Sequence, residues 1–271
     1  MLRDTWLASQ RQITPVGKML RDTWLVFQRQ ITLVVRTPIW IPIGLAQPVV
    51  YLLLFAPMLK KALIITGGPN TYTYAYLIYV PGLLVAMACL GGLWTGLGLL
   101  AELRAGIIER ARVTPVSRSA LLFGRALREV AILVVQGLVI TILAIPLGLS
   151  VRLGDVLLAY LLFALLALMA TVLSYGICLQ IRSEAALGPL INTVSQPVML
   201  LAGVLLPLTL APLWLRQVAN WNPFYWATLG MRALFAGHPG DPAVWQGLLI
   251  VLGLAAVATL WSARLFSRSL R

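Results

Sequence analysis

The sequence predicts an all-α membrane protein with six transmembrane helices, and three observations carry that expectation. Of its 271 residues, 60% are hydrophobic and only 11% are charged, against about 45 to 50% and about 25% in ordinary soluble domains. The apolar residues come as long uninterrupted blocks, not as the scattered pattern of a soluble core. The charges collect at the edges of those blocks, where they escape the roughly 2.5 to 3.5 kcal/mol that a mid-span charge costs on insertion scales. Lipid is therefore the expected solvent.

A nearly charge-free block of roughly 20 residues, at 1.5 Å rise each, crosses about 30 Å of hydrocarbon. Such blocks fall at 38–59, 76–101, 129–149, 156–181, 185–206 and 244–263. Residues 1–36 precede them as an amphipathic segment, and 37–271 form the transmembrane domain. With six spans both termini share a side, together with 102–128 and 182–184. That side holds all but five of the 21 Lys and Arg residues, the five being Lys60, Lys61, Arg152, Arg216 and Arg232. The positive-inside rule then puts both termini in the cytoplasm. Trp40 and Trp261 fall at inner edges, and Trp214, Trp221, Trp226 and Trp245 near the outer one, as an interfacial aromatic belt requires. Arg3, Asp4, Arg11, Lys18, Arg21, Asp22 and Arg29 interrupt the start of the chain, so no cleavable apolar leader is expected and the N-terminus should stay in the mature protein.

Three segments lie outside the spans. In Met19 to Val35, Leu20, Trp24, Phe27, Ile31 and Val34 recur at helical spacing with Arg21, Asp22, Gln28 and Arg29 between them, which suits a helix lying on the inner leaflet. Residues 1–14 nearly duplicate 19–32, since MLRDTWL and QRQIT each occur twice, and Pro15 and Gly17 should interrupt a continuous helix through both copies. The connection Ala101 to Glu129 is long and basic, with Gly106 and Pro115 bracketing a short helical stretch and Ser117 placed to cap the next helix. The segment 207–243 is apolar but broken by five prolines and by Arg216, Asn220, Asn222, Arg232, His238 and Asp241. It reads as short helices at the outer leaflet, with Asn222 as an N-cap and Pro223 at the first helical position.

Several chemistries are excluded. A phosphate-binding P-loop needs Lys followed by Ser or Thr after a glycine-rich run, whereas Lys18, Lys60 and Lys61 are followed by Met, Lys and Ala. No catalytic residues are expected, and any ATP and Mg must sit on a partner. Cys89 and Cys178 lie inside apolar blocks and the single histidine, His238, sits in a loop, so neither a disulfide framework nor a metal site is on offer. The net charge of +13 is spread between apolar blocks without an aromatic-interleaved stripe, which argues against nucleic acid. No span carries a charge near its centre, while Glu102, Glu129, Arg182 and Glu184 sit at inner edges, which counts against an ion-coupled secondary transporter or a channel. A purely structural scaffold would leave the 102–129 connection without a purpose.

That connection also carries a resemblance. The run E-x-x-x-G-I-I-E-R followed by T-P-V-S-R-S-x-L-L-x-G-R, which places Glu102, Gly106, Glu109, Arg110, Pro115, Ser117, Arg118, Gly124 and Arg125, resembles the cytoplasmic loop of ABC-2 type permeases, in particular membrane subunits of the daunorubicin-resistance (drug exporter) type. It continues at Pro81-Gly82 and at L-P-L, P-L-W-L, N-P-F and R-A-L between Leu206 and Leu234. The resemblance implies a permease of a bacterial-type cell membrane, working as a dimer of two permease chains, identical or not, above two copies of an ATPase subunit. It implies a coupling helix within Gly106 to Pro115, with Glu102, Glu109, Arg110 and Arg118 around it. The exported molecule would be an amphipathic drug or lipid-like compound, as in antibiotic resistance, although lipid-linked glycan exporters share the architecture.

Two polar pairs stand at mid-span, Gln47-Pro48 in the first and Gln196-Pro197 in the fifth. Proline frees a carbonyl one turn back, so each pair puts a kink and polar groups near the midplane. In ABC-2 permeases the first, second and fifth spans face the dimer interface and the transport path, which would let Asn192, Ser195 and Gln196 line it. Alternatively, the kinks pack against neighbouring helices with their amides bonded locally. Gly91, Gly92, Gly96 and Gly98 in the second span suit close helix packing.

Overall fold

A computed structural model describes residues 15–36, 40–65, 71–106, 118–204, 208 and 211–269. The first copy of the duplicated motif, and Glu109, Arg110, Pro115 and Ser117, lie outside the described residues. Within these residues the chain is helical throughout, with no strand. The helices are α1 (Pro15–Arg36), α2 (Trp40–Ile65), α3 (Tyr72–Arg104), α4 (Arg118–Ala144), α5 (Leu153–Ile181), α6 (Glu184–Leu201), α7 (Leu213–Ala219), α8 (Pro223–Phe235) and α9 (Pro242–Ser269).

Four of them, α3, α4, α5 and α9, are long and apolar enough to cross a membrane by length and composition. At 33 residues, α3 is about 50 Å long, so it exceeds the hydrocarbon core. The two other blocks read as spans in the sequence fall on α2, with Pro48 and Pro57, and on α6, which has only 18 residues and contains Pro189 and Pro197.

Burial separates centre from periphery. Of the most apolar stretch of each helix, 67% is buried in α3 and 56% in α5, but 33% in α4 and 28% in α9. The centre is the α3–α5 crossing, and small residues make it. A Cβ added at Gly92 would lie 2.6 Å from the Ala170 Cβ, and one at Gly96 would lie 2.5 Å from the Ser174 Oγ. Side chains this small let two backbones approach, which is how helices associate where lipid offers no hydrophobic drive. Ser174 adds polar links, accepting from the Gly96 N–H at 3.0 Å and donating to the Leu93 carbonyl. The far face of α5 packs on α9, where Gly176 makes room for the Trp261 ring. Peripheral faces of α4 and α9 leave Val135, Ile142, Leu249 and Val257 exposed, as a lipid-facing surface requires.

Helix α1 lies against α4, where Gly124 abuts Val26 and the Thr23 carbonyl. It starts at Pro15, a position where the missing N–H is one the helix could not use, and runs on through Gly17. Its buried stripe is centred on Thr23, while Leu20, Trp24 and Leu25 stay exposed.

At the end of the bundle away from the α3–α4 connection, α8 packs against α3, α5 and α9. Asn222 caps it, its Oδ1 accepting from the Phe224 N–H at 3.1 Å with Pro223 at the first helical position. The same side chain donates through Nδ2 to the Val198 carbonyl at 2.7 Å, tying the α8 start to the end of α6.

Candidate functional site

Helices α2, α3, α4 and α6 do not close on one another. They enclose a cavity of about 740 Å³ that opens between them. Helix α2 contributes Gly44, Gln47, Pro48 and Tyr51. The α3 wall runs from Tyr79 through Leu83 and Met87 to Gly91 and Trp94. Glu129, Leu133 and Gln136 come from α4, and Asn192, Gln196 and Met199 from α6, with Val204 just beyond it.

Of the mid-span residues singled out in the sequence, Gln47, Pro48, Asn192 and Gln196 meet in this cavity although they come from helices about 145 positions apart. Gln47 donates to the Tyr51 hydroxyl at 3.3 Å, one turn along α2. Ser195 is not among the lining residues: it is buried on the other face of α6, and its hydroxyl donates to the Asn192 carbonyl at 3.3 Å, the local bond a helical serine ordinarily makes. Pro197 is exposed and also outside the lining.

Among the lining residues that sequence reasoning missed, Gln136, Tyr79 and Trp94 carry the most chemistry. Gln136 interrupts the apolar run of α4 without an adjoining proline. It is 9% exposed, and Gly44 is the reason its amide fits, since a Cβ there would lie 2.5 Å from the Gln136 Nε2. Tyr79 stacks on Phe55 at 6.0 Å between ring centroids. Trp94 is exposed on the same wall. A polar side chain inside an otherwise apolar span was the available signal for Gln136. No signal of that kind marks Tyr79 or Trp94, because aromatic residues are common in any span.

The second arrangement lies where α3 ends and α4 begins, on either side of the 107–117 segment. Helix α3 stops at Gly106, whose φ of 67° is the left-handed conformation glycine adopts after a helix end. One turn earlier, Glu102 pairs with Arg125 of α4, a guanidinium that is only 6% exposed. Arg128 pairs with Glu129 and donates to the Gln30 Oε1 of α1 at 2.9 Å. On the adjacent surface Arg104 pairs with Glu184 at 2.7 Å, where α5 turns into α6 through Arg182 in a left-handed conformation. Four helices, α1, α3, α4 and α6, are thus cross-linked by ion pairs and a charged hydrogen bond around the base of one connection. Such pairs between helices define position more than they add stability. Of the coupling residues expected from sequence, the structure places Glu102 and Gly106 at this base and starts α4 at Arg118.

No group of three or more His, Cys, Asp or Glu side chains that could hold a metal occurs among the described residues. Both cysteines are free and buried.

Residues 21–236 match the model of the family described as ABC-2 type transporter. The chain is 28% identical over 206 residues to the protein named "Putative transport permease ycf38" of Porphyra purpurea, a match spanning 74% of this chain and 69% of the relative. Proteins of the same name from Cyanophora paradoxa and Pyropia yezoensis are 26% and 27% identical over the same shares. The chain therefore belongs to the ABC-2 type transporter family, as a membrane-embedded permease subunit of an ABC transporter.

Proposed function

We propose that this permease exports an amphipathic drug or lipid-like molecule through the cavity between α2, α3, α4 and α6. One observation carries the reading: mid-helix amides from α2, α4 and α6 converge on a cavity whose other walls, Glu129 apart, are apolar and aromatic. Such a lining suits a molecule with a large apolar body and few polar groups. In this reading α2 and α6 complete a six-span bundle with both termini in the cytoplasm of a bacterial-type cell. Their exposed faces meet a second, identical permease chain, and the two cavities join into one path.

Driving force comes from two copies of a separate ATPase subunit, which hold the ATP and Mg. They grip the 102–118 segment of each chain, and closure of the ATPases is transmitted through the Glu102–Arg125 pair into α3 and α4. A lateral push on this cross-linked base reaches the cavity because α3 and α4 form two of its walls. Alternating access then follows from a shift in population between inward- and outward-open arrangements.

The test is replacement of Glu109 and Arg110 together by alanine in the assembled complex. Transport should fall at least tenfold, which corresponds to about 1.4 kcal/mol of lost coupling, while the permease still folds and inserts. Unchanged ATP hydrolysis and unchanged transport would remove 102–118 as the docking segment.

A further inference from the structure

The polar groups of the cavity have a bias that apolar walls do not explain. Tyr79, one of the lining residues, is 1% exposed, and its hydroxyl has no hydrogen-bond partner among the described residues. A buried hydroxyl left unsatisfied costs about 1 to 3 kcal/mol, so one held in place by stacking on Phe55 points to a partner that arrives from the cavity. Glu129 is the one charged side chain among the lining residues described, and no lysine or arginine joins it. Its described contacts with Arg128 use only Oε1, and Arg128 is itself committed to Glu129 and to Gln30. The amides of Gln47, Gln136, Asn192 and Gln196 offer carbonyl oxygens to a donor and N–H groups to an acceptor without preference. Charge therefore decides what enters.

Building on the reading of this cavity as the transport path, we propose that it selects amphipaths whose polar end is a neutral or cationic hydrogen-bond donor and rejects those ending in a carboxylate or phosphate. A donor N–H bonds to the Tyr79 hydroxyl oxygen or an amide carbonyl, and a cationic end gains the Glu129 carboxylate. The apolar body rests on Tyr51, Met87 and Trp94, whose ring faces also favour a cation. An anionic end finds no ammonium or guanidinium in the lining. It would enter a low-dielectric space beside Glu129, where both desolvation and like-charge repulsion oppose it.

Three dansyl probes of equal chain length, ending in a primary amine, a carboxamide and a carboxylate, test this by fluorescence titration against the full chain in phosphatidylcholine nanodiscs, with empty nanodiscs subtracted. The amine and amide probes should bind, and the carboxylate probe should bind at least about tenfold more weakly. Glu129→Gln should lower the affinity for the amine to that for the amide and leave the amide unchanged, which also shows that the variant is folded. Tyr79→Phe should weaken amine and amide alike by about three- to tenfold. A carboxylate probe binding within about twofold of the amine, or a Glu129→Gln variant that still favours the amine over the amide as the parent does, would overturn the proposal. Binding is read on the permease alone, so it is separable from coupling. ATP-driven movement of the carboxylate probe by the assembled complex would sink the selectivity and keep the path. Amine binding without ATP-driven movement would sink the path and keep the selectivity.

Discussion

Helix α3 meets α5 on one side and the α2, α4 and α6 walls on the other, and the two sides use similar residues to opposite ends. Toward α5, Gly92 and Gly96 face Ala170 and Ser174, and the two backbones close on each other. Toward the cavity, Gly91 abuts the Leu133 side chain and amides and aromatic rings hold the walls apart, while Gly98, exposed and outside the lining, has nothing within 4 Å of an added Cβ. Glycine content is the same in kind on both sides. What differs is the facing residue: small opposite small lets two backbones meet, whereas at Gly91 and Gly44 a large or polar side chain fills the gap and the backbones stay apart. A transporter needs both, a rigid seam to carry force and an unsealed one to open.

The seam breaks most severely at Gly96. A side chain there would meet the Ser174 Oγ at 2.5 Å and the Ser174 backbone carbonyl oxygen at 2.9 Å, and the backbone atom cannot rotate away. Gly96→Leu should exceed the about 1 to 3 kcal/mol of ordinary overpacking and abolish monodisperse folded protein on size exclusion in detergent. Gly98→Leu, two residues along the same helix, should elute and melt as the parent does. If Gly96→Leu also eluted normally, the seam would not be the rigid element.

Next in size is the brace on the open side at the end away from the α3–α4 connection. Arg232 of α8 donates to the Ile78 carbonyl of α3 at 3.1 Å and to the Gly203 carbonyl, past the end of α6, at 2.7 Å. Burial lowers its pKa to about 10, so it remains charged at neutral pH and bonds these carbonyls as a cation. Val204, the next residue, roofs the cavity, and Gly82 of α3 leaves room for the Val204 carbonyl. Arg232→Met removes the donor to the Gly203 carbonyl, while the Ile78 carbonyl keeps its bond within α3, and should cost about 1 to 3 kcal/mol, read as a lower Tm in detergent. It should also speed maleimide labelling of a Val204→Cys probe. A lowered Tm with unchanged labelling would confine Arg232 to a structural role in α8 and leave the roof to other contacts.

How far the sequence reached follows from what each residue must satisfy. The helical class was legible because backbone groups in lipid have to be bonded within the segment, and the N-cap at Asn222 because its donor and acceptor chemistry is local. Gln47, Pro48, Asn192 and Gln196 could be singled out from their depth in apolar runs, and the structure brings these four into one cavity. Ser195 could not be separated from them by sequence, because one residue of offset turns a side chain about 100° around a helix and sends it to the buried face. Gln136, Tyr79 and Arg232 were overlooked as site residues for a related reason. Their surroundings are set by partners far away in the chain, Gly44 for Gln136, Phe55 for Tyr79 and Ile78 for Arg232.

The smallest expected effect distinguishes two explanations of the seam itself. Ser174 both bonds the α3 backbone and fits beneath Gly96, so either hydrogen bonding or shape could hold the helices together. The two backbone atoms it touches lie within the α3 helix and keep that helix's own bonds when the hydroxyl is gone. Ser174→Ala should therefore cost only about 0.6 kcal/mol, the average measured for hydrogen bonds between helices in lipid. Ser174→Val puts two methyl groups where one hydroxyl fits, and should cost several times more. Thermal unfolding of the two variants in the same detergent compares them directly. If alanine proved the more damaging of the two, polar bonding and not close fit would hold the seam, and the contrast with the open side would rest on hydrogen bonds instead of side-chain size.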